Sequence, residues 1–169
     1  MSGAVVWFTG LPSSGKSTLA QEVQRRLRDR GETPCLLDGD VVRGLIAPGL
    51  GYSEEDRTAF YTALGGLSAE LARQGLTVLV AATAHQREYR RRARKLAPRF
   101  IEVWVTTPLE ECQSRDSKGL YAAATSKPGT LPGVGSGYEP PEHAEVLASG
   151  GQDEQAIERV LTLLNSRCT

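Results

Sequence analysis

The sequence holds few of the residues on which disulfide-bonded and metal-bound scaffolds depend. Among its 169 residues are three cysteines and two histidines, which lie far apart and form no Cys-x-x-C pair. An odd and scattered set of cysteines indicates neither a disulfide framework nor a zinc site, and it fits a reducing compartment. We therefore expect a cytoplasmic protein whose fold depends on its hydrophobic core.

The sequence also lacks net charge and long hydrophobic runs. Its 20 Lys and Arg residues balance 20 Asp and Glu residues, so no overall positive field would attract nucleic acid or an anionic membrane. No apolar run reaches the ~20 residues of a transmembrane helix, and no signal-peptide pattern opens the chain. Because the length suits one domain with a sizeable core, we expect residues 1–169 to form a single domain that acts on a small molecule.

What the sequence does contain is a glycine-bounded loop between an apolar stretch, 4–9, and a segment with helical apolar spacing. The loop follows the pattern G-x-x-x-x-G-K-[ST], and we predict that all of its residues contact a bound nucleotide: Gly10, Leu11, Pro12, Ser13, Ser14, Gly15, Lys16, Ser17 and Thr18. Such a loop points backbone N–H groups at phosphate oxygens, and the following helix adds the positive end of its dipole. Lys16 is expected to neutralise the terminal phosphates, and Ser17 to place its hydroxyl on Mg²⁺. An ordinary glycine-rich turn is the alternative, but it would not require the strand before the loop and the helix after it.

Strand-like and helix-like segments alternate along the rest of the chain. Helical patterns separate four further predicted strands, at residues 34–37, 76–82, 100–105 and 144–148. This alternation predicts an α/β fold in which helices flank a five-stranded parallel sheet. A Gly-, Pro- and Ser-rich stretch at 126–141 is unusually long for a connection, and we expect a lid over approximately residues 115–143.

Two carboxylates follow the second predicted strand, at the sheet edge where ligands bind in parallel α/β folds. A kinase acting on a hydroxyl needs a phosphate loop, Mg²⁺ and a group that takes or orients the proton of the acceptor. We assign that last role to Asp40 and assign support of the metal to Asp38, because the strand at 76–82 carries no acidic residue. Capping of the helix that begins near Val41 is the competing interpretation of either carboxylate.

Two arginines near this edge each have two interpretations. Arg43 lies one turn into the helix after Asp40, where it either holds an acidic substrate group or belongs to a solvated face. Arg115 either closes on the phosphates as a charge-stabilising cation or forms a surface salt bridge with Asp116. The arginine-rich run at 87–94 is predicted to be a solvated helix face; because the run follows a strand end, a member that faces the substrate is the alternative.

Several stretches of the chain resemble the adenylylsulfate kinase (APS kinase) family. The likeness covers nearly the whole chain, in order, and it is carried by residues 8–18, 37–43, 50–53, 56–57, 100–105, 107–110, 115–116, 118–121 and 138–142. Most specific are Asp-Gly-Asp with an Arg three residues on, Lys-Gly-Leu-Tyr, and the late Tyr-Glu-x-Pro. The resemblance implies a single-domain P-loop kinase fold that transfers the γ-phosphoryl group of ATP to the 3′-hydroxyl of adenylylsulfate with Mg²⁺. A homodimer is compatible with it, since family members are often dimers.

The same resemblance assigns substrate contacts residue by residue. Tyr52 matches the aromatic residue that stacks on the substrate adenine in the family. Arg43 and Arg57 match arginines that bind the substrate, and Lys118 matches a lysine that lies near the nucleotides. The lid phenylalanine that completes the adenine sandwich in the family aligns near Leu131.

Three substrate-side elements depart from the pattern of the family. Residues 58–63 replace a Glu-Asn-Ile-Arg-Arg-like run whose Asn touches substrate, residues 83–85 replace Ile-Ser-Pro, and Leu131 replaces the phenylalanine. Loss of one ring face removes stacking worth ~1–3 kcal/mol. The chain is therefore either a divergent APS kinase or a kinase for another hydroxyl acceptor on the same scaffold. The intact Lys16 and Ser17 argue against a non-catalytic ATP-binding domain.

Overall fold

The computed structural model describes residues 3–116, 118–126, 131–132 and 135–166. Its elements follow one another as β1 (Ala4–Thr9), α1 (Lys16–Asp29), β2 (Cys35–Asp38), α2 (Gly39–Ile46), α3 (Glu54–Arg73), β3 (Thr77–Ala81), α4 (Arg87–Leu96), β4 (Phe100–Val105), α5 (Leu109–Arg115), α6 (Leu120–Ser126), β5 (Leu131–Pro132), β6 (Gly135–Ser136), β7 (Val146–Ala148) and α7 (Glu154–Asn165). None of the helices in these described ranges is long and apolar enough to cross a membrane.

The five longer strands form one parallel sheet in the order β2-β3-β1-β4-β7, which confirms the predicted five-stranded parallel sheet. All residues of the central strand β1 are buried, because helices cover both faces of the sheet. Side chains alternate along this strand: Val6 and Phe8 pack with α1 and α7, whereas Val5 and Trp7 pack with α3 and α4. The carboxyl ends of β1, β2 and β3 lie side by side at one edge of the sheet.

Two predicted boundaries differ from the structure by two residues, because in each case a side chain replaces a backbone partner. α2 begins two residues earlier than predicted, since the Asp38 carboxylate accepts a hydrogen bond from the Asp40 N–H at 3.1 Å and caps the helix there. β7 begins two residues later than predicted, since the carboxylate of Glu145 accepts the Glu102 N–H at 2.7 Å. Hydrophobic periodicity does not reveal either of these side-chain hydrogen bonds.

One member of the arginine-rich run is buried, which corrects the prediction of a solvated face. Arg90 on α4 has 2% of its side chain exposed, and its guanidinium pairs with Glu102 on β4 at 2.7 Å. It also donates to the backbone oxygen of Glu139 at 2.6 Å and to that of Ala84. A buried guanidinium needs several acceptors because an unpaired buried charge is costly. Arg90 thereby fastens the segment around Glu139 to the sheet.

Part of the expected lid, 115–143, has regular structure. α6 follows α5 after a short connection, and β5 pairs with β6 in parallel. Asp116 caps the start of α6 by accepting hydrogen bonds from the N–H groups of Tyr121 and Ala122, both at 3.0 Å. The remaining parts of the expected lid, residues 117, 127–130 and 133–134, lie outside the described residues.

Candidate active site

The phosphate loop leaves β1 and enters α1 through a backbone that few side chains permit. Gly10, Ser13 and Gly15 have positive φ angles of 156°, 60° and 102°. At Gly15 a β-carbon would lie 2.7 Å from the backbone nitrogen of Gly151, so only glycine fits at this position. A turn of this kind at a helix N-terminus presents backbone N–H groups to an anion.

The loop contains a buried hydroxyl without a partner. Among the described residues, Ser14 Oγ is the one buried side-chain oxygen or nitrogen that makes no hydrogen bond. The backbone oxygen of Ser14 does accept a hydrogen bond from Thr107 Oγ1 at 2.7 Å, which links the loop to the segment after β4. Unpaired buried polar atoms are uncommon in native proteins, and a phosphate oxygen bound at the loop would supply the missing partner.

Lys16 lies at the first position of α1 and folds back over the loop. Its ammonium group donates to the backbone oxygens of Gly10 at 3.1 Å and Leu11 at 2.8 Å. Burial lowers the pKa of Lys16 to about 8, although the nearby carboxylate of Asp40 opposes this shift. The group is therefore a cation at neutral pH whose charge is poorly compensated, as expected of a side chain that neutralises phosphates.

Asp38 connects the start of α1 to the end of β2. Its Oδ2 accepts a hydrogen bond from Ser17 Oγ at 2.6 Å, while its Oδ1 accepts the N–H groups of Asp40 and Val41 at the start of α2. The Asp38 carboxylate therefore both caps α2 and lies beside the Ser17 hydroxyl, which is predicted to bind the metal. Two oxygen donors side by side at a phosphate loop match the ligands that Mg²⁺ takes.

Asp40 lies at the mouth of the cleft and pairs with Lys118 from the segment between α5 and α6. The Asp40 carboxylate is well exposed, with 72% of its side chain accessible. Hydrogen bonding to this carboxylate raises the pKa of Lys118, which therefore stays charged. The pair joins residues 78 positions apart in sequence and brings a carboxylate and an ammonium group together near Lys16.

Arg115 lies at the end of α5 and lines the same cleft. Its guanidinium pairs with Glu111, one turn earlier on the helix, at 3.2 Å. This corrects the predicted partner, because the carboxylate of Asp116 is used as the cap of α6. An exposed pair within one helix contributes little stability, so Arg115 can exchange Glu111 for another anion at small cost.

The predicted substrate-binding residues gather around Arg43 on α2. The guanidinium of Arg43 lies 4.4 Å from the ring centroid of Tyr52 and 4.9 Å from that of Phe60, and it donates to the backbone oxygen of Gly51. Tyr52 is exposed, with 68% of the residue accessible, whereas Arg57 on α3 is buried. This side of the cleft therefore offers two guanidinium groups and an accessible ring face.

The phosphate loop is covered on the lid side by a small hydrophobic cluster. Cys112, Tyr121, Ala124 and Leu131 are buried against one another, and Leu11 of the loop packs on them. Tyr121 Oη donates to the backbone oxygen of Pro12 at 2.8 Å, and this hydrogen bond is buried. The first segment of the lid is thus joined directly to the loop. Leu131 contributes an aliphatic surface where the resemblance places an aromatic ring.

One cleft of about 580 Å³ brings most of the predicted site residues together. Those that line it are Pro12, Ser13, Gly15, Lys16, Ser17, Thr18, Asp38, Asp40, Arg43, Tyr52, Arg57, Arg115, Lys118 and Leu131. Gly10, Leu11 and Ser14 belong to the loop but do not line the cleft. Residues 136 positions apart in the sequence also meet at the phosphate loop, since Gly151 packs against Gly15.

Among the cleft-lining residues that the sequence did not predict as site residues are Phe60, Tyr61, Thr83 and His85. Tyr61 Oη accepts a hydrogen bond from the Ala84 N–H at 3.1 Å. Burial, reinforced by the charge of Arg57, lowers the pKa of His85 to about 4, so the imidazole is neutral at pH 7. The sequence offered one indication that these residues belong to the site. Segments 58–63 and 83–85 both depart from the family pattern, and two segments that diverge together are candidates for contact.

A parallel sheet with a phosphate loop after its central strand and carboxylates after β2 defines a nucleotide-dependent P-loop kinase. The sequence model of the family described as adenylylsulphate kinase matches residues 2–149. The chain belongs to the adenylylsulfate kinase family.

Individual relatives support this assignment, although the chain covers different fractions of their lengths. The adenylyl-sulfate kinase of Synechococcus sp. (strain JA-2-3B'a(2-13)) is 40% identical over 170 residues, which cover 98% of this chain and 96% of that protein. The bifunctional enzyme NodQ of Azospirillum brasilense is 44% identical over 171 residues, covering 97% of this chain. The chain spans only 27% of the length of NodQ.

Among solved structures, the chain is similar to the Mycobacterium tuberculosis APS kinase CysC in complex with AMPPNP and APS. The two share 36% sequence identity and superpose with a TM-score of 0.89. The match covers 98% of this chain and 99% of the CysC chain. The P-loop kinase fold implied by the sequence is therefore confirmed.

Proposed function

We propose that this protein transfers the γ-phosphoryl group of ATP to the 3′-hydroxyl of adenylylsulfate. The observation that carries the proposal is the single cleft in which the phosphate loop faces Asp40, Arg43 and Arg57. A relative whose structure holds AMPPNP and APS has the same fold over nearly its whole length, which supports a two-nucleotide cleft. The cytoplasmic location and the homodimer expected from the sequence belong to this proposal and rest on cysteine content and family resemblance.

The loop, 10–18, would bind the triphosphate of ATP. Its N–H groups and the start of α1 provide fixed donors, and Ser14 Oγ is an unused buried one. Lys16 would exchange its two backbone oxygens for β- and γ-phosphate oxygens, because a charged acceptor makes a stronger hydrogen bond with an ammonium group than a carbonyl does. That exchange leaves the charge of Lys16 where negative charge develops during transfer.

Mg²⁺ fits the donors beside the loop. The described residues contain no group of three or more His, Cys, Asp or Glu side chains that would hold a metal by themselves. Mg²⁺ commonly takes one or two carboxylates together with substrate phosphates, and Ser17 with Asp38 would hold it in this way. When bound, Mg²⁺ supplies positive charge that neutralises the transferring phosphoryl group.

Asp40 would accept or orient the proton of the acceptor hydroxyl. Its carboxylate is exposed and pairs with Lys118 across the mouth of the cleft. Separation of this pair would give the hydroxyl a carboxylate and give the transferring phosphoryl group a second cation beside Lys16. Arg115, whose pairing with Glu111 is weak, would add a third.

The remaining site residues would bind the acceptor. The exposed ring of Tyr52 offers a stacking surface for adenine, worth ~1–3 kcal/mol, and Leu131 provides an aliphatic surface on the lid side. Arg43 and Arg57 would bind the acidic groups of adenylylsulfate, because a guanidinium forms directed, charge-assisted hydrogen bonds with such groups.

The direct test supplies ATP, Mg²⁺ and adenylylsulfate and follows formation of ADP. A kcat/KM in the usual enzymatic range of about 10⁴–10⁸ M⁻¹s⁻¹ is expected. A kinase of a different nucleotide-linked or small polar metabolite is the second candidate, because Phe60, Tyr61 and His85 change the acceptor side of the cleft. Negligible turnover with adenylylsulfate, together with ADP formation on another hydroxyl compound, would favour that candidate.

Arg43→Ala is expected to raise the KM for the acceptor about tenfold while the KM for ATP changes less than twofold. The guanidinium lies on the acceptor side, and loss of a hydrogen bond to a charged group costs about 1.5–3 kcal/mol. Steady-state kinetics with each substrate varied in turn measure both constants. Arg28→Ala is the matched control, since Arg28 is exposed on α1 and does not line the cleft. A larger change in the KM for ATP than in the KM for the acceptor would contradict the assignment of Arg43 to acceptor binding.

The affinity for ATP is expected to fall above about pH 8. Below the Lys16 pKa of about 8 the ammonium is charged, and above it the group is increasingly neutral. Because bound phosphates restore the charged form, ATP binding at pH 8.5 must take up protons, whereas binding at pH 7 takes up few. Calorimetry in two buffers of different ionisation enthalpy measures this uptake. Equal uptake at the two pH values would contradict the assignment.

A further inference from the structure

The wall of the cleft includes a turn, 82–85, between β3 and α4, which adjoins the end of β1. Ala84 in this turn is buried and has a φ of +42°. This left-handed conformation is uncommon for a residue with a side chain and persists only when its surroundings impose it. Thr83 and His85, on either side of Ala84, both line the cleft. The conformation of Ala84 therefore controls two side chains that face the acceptor.

Four hydrogen bonds from separate parts of the chain hold the backbone of residues 83–85 in this turn. Thr9 Oγ1 donates to the oxygen of Thr83 at 2.6 Å, and the N–H of Glu139 donates to the oxygen of His85 at 2.8 Å. The guanidinium of Arg90 donates to the oxygen of Ala84. In the fourth, the Ala84 N–H donates to the Oη atom of Tyr61, and Tyr61 itself lines the cleft.

Tyr61 is held in place for this contact by its ring. The ring stacks on that of Tyr89, with centroids 4.8 Å apart and planes 25° apart, and it lies 5.2 Å from the Phe60 ring. The His85 ring meets Tyr89 edge-on at 5.5 Å. Burial raises the pKa of the Tyr61 phenol, so the hydroxyl stays neutral over the working pH range. The phenol is thus fixed by packing and faces the turn as a neutral acceptor.

We propose that Tyr61 is a positioning residue for the phosphoryl acceptor: its phenol holds Ala84 in the left-handed conformation and thereby sets Thr83 and His85 against the acceptor. The proposal rests on the kinase function proposed above. Release of the Ala84 N–H would leave a buried donor unpaired and let the turn relax toward an ordinary conformation. Both cleft-facing side chains would then move, and a small displacement at a binding wall weakens acceptor binding without touching the phosphate loop.

Tyr61→Phe removes the hydroxyl and keeps the stacked ring. We expect the KM for the acceptor to rise about five- to tenfold, the lower end of the range expected for an unpaired buried donor, while the KM for ATP changes less than twofold. Tyr89→Phe is the matched control, because it removes a hydroxyl that lies 3.3 Å from Thr58 Oγ1 and does not line the cleft. Both KM values should stay within twofold of wild type in the control. An equal rise of both KM values in Tyr61→Phe would overturn the proposal.

Amide hydrogen exchange without substrates provides a second measurement that needs no knowledge of the acceptor. The Ala84 amide should exchange about tenfold faster in Tyr61→Phe than in wild type, while amides in the middle of β3 keep their rates. An unchanged rate at Ala84 would overturn the positioning role. If wild type fails to phosphorylate adenylylsulfate, the proposed substrate is wrong, yet the exchange rate still decides whether Tyr61 holds the turn.

Discussion

Lys16→Ala is expected to lower kcat/KM for ATP about a thousandfold. The ammonium group is the one loop cation that can follow negative charge onto the transferring phosphoryl group, and removal of such a preorganised donor costs about 10²–10³ in rate. Initial-rate measurements of ADP formation, over a range of ATP concentrations, determine the loss. Burial of the ammonium already disfavours its charged form, so the thermal midpoint of the variant should not fall with its activity.

Lys95→Ala is the matched control for this prediction. Lys95 is exposed in the last turn of α4 and does not line the cleft, so its removal takes away the same charge without touching the loop. This variant should keep wild-type kinetics. Full activity of Lys16→Ala would contradict the prediction that residues 10–18 form the ATP site.

Asp40→Asn should lower kcat about a hundred- to a thousandfold and leave the KM for ATP within about threefold. The amide keeps the size of the carboxylate but cannot take a proton, and general base catalysis contributes about 10²–10⁴ in rate. Steady-state rates with both substrates saturating measure kcat directly. Since most of the Asp40 side chain is exposed, the variant should unfold at the same temperature as wild type.

Two comparisons make the Asp40 result specific. Asp29→Asn removes an exposed carboxylate that pairs with Arg25 on the surface of α1, and its kcat should be unchanged. Lys118→Met removes both the partner of Asp40 and the second cation proposed for the transferring phosphoryl group, so its kcat should also fall. Unchanged phosphoryl transfer in Asp40→Asn would contradict the assignment of Asp40 as the group that takes the acceptor proton.

Local signals made the ATP side of the cleft readable from the sequence. The loop 10–18 is continuous, and its glycines, lysine and hydroxyl all serve one short backbone turn, so their spacing carries the geometry. The burial of β1 and β3 followed from apolar runs, because strands covered on both faces lose the polar alternation of half-exposed ones. The start of α3 is set just as locally, since the Ser53 hydroxyl accepts the Asp56 N–H at 3.1 Å.

Only the tertiary structure shows which charged side chains form ion pairs. Arg90 belongs to a run of arginines that looks solvated, yet the sheet places Glu102 beside it and withdraws both from water. Adjacency suggested Asp116 as the surface partner of Arg115, one of two alternatives, whereas the helix directs the side chain to Glu111 one turn back. Charge and adjacency do not reveal which partner is close, because the choice depends on where separate elements cross.

The sequence by itself determined the class of this protein, because a phosphate loop and buried strands are set by neighbouring residues. The acceptor side is different, since Tyr61 meets the turn at Ala84 only after α3 packs beside β3. No local pattern encodes that contact or the meeting of Asp40 with Lys118, as both depend on the path of the whole chain around the sheet. The tertiary structure therefore decided how the acceptor half of the cleft is built.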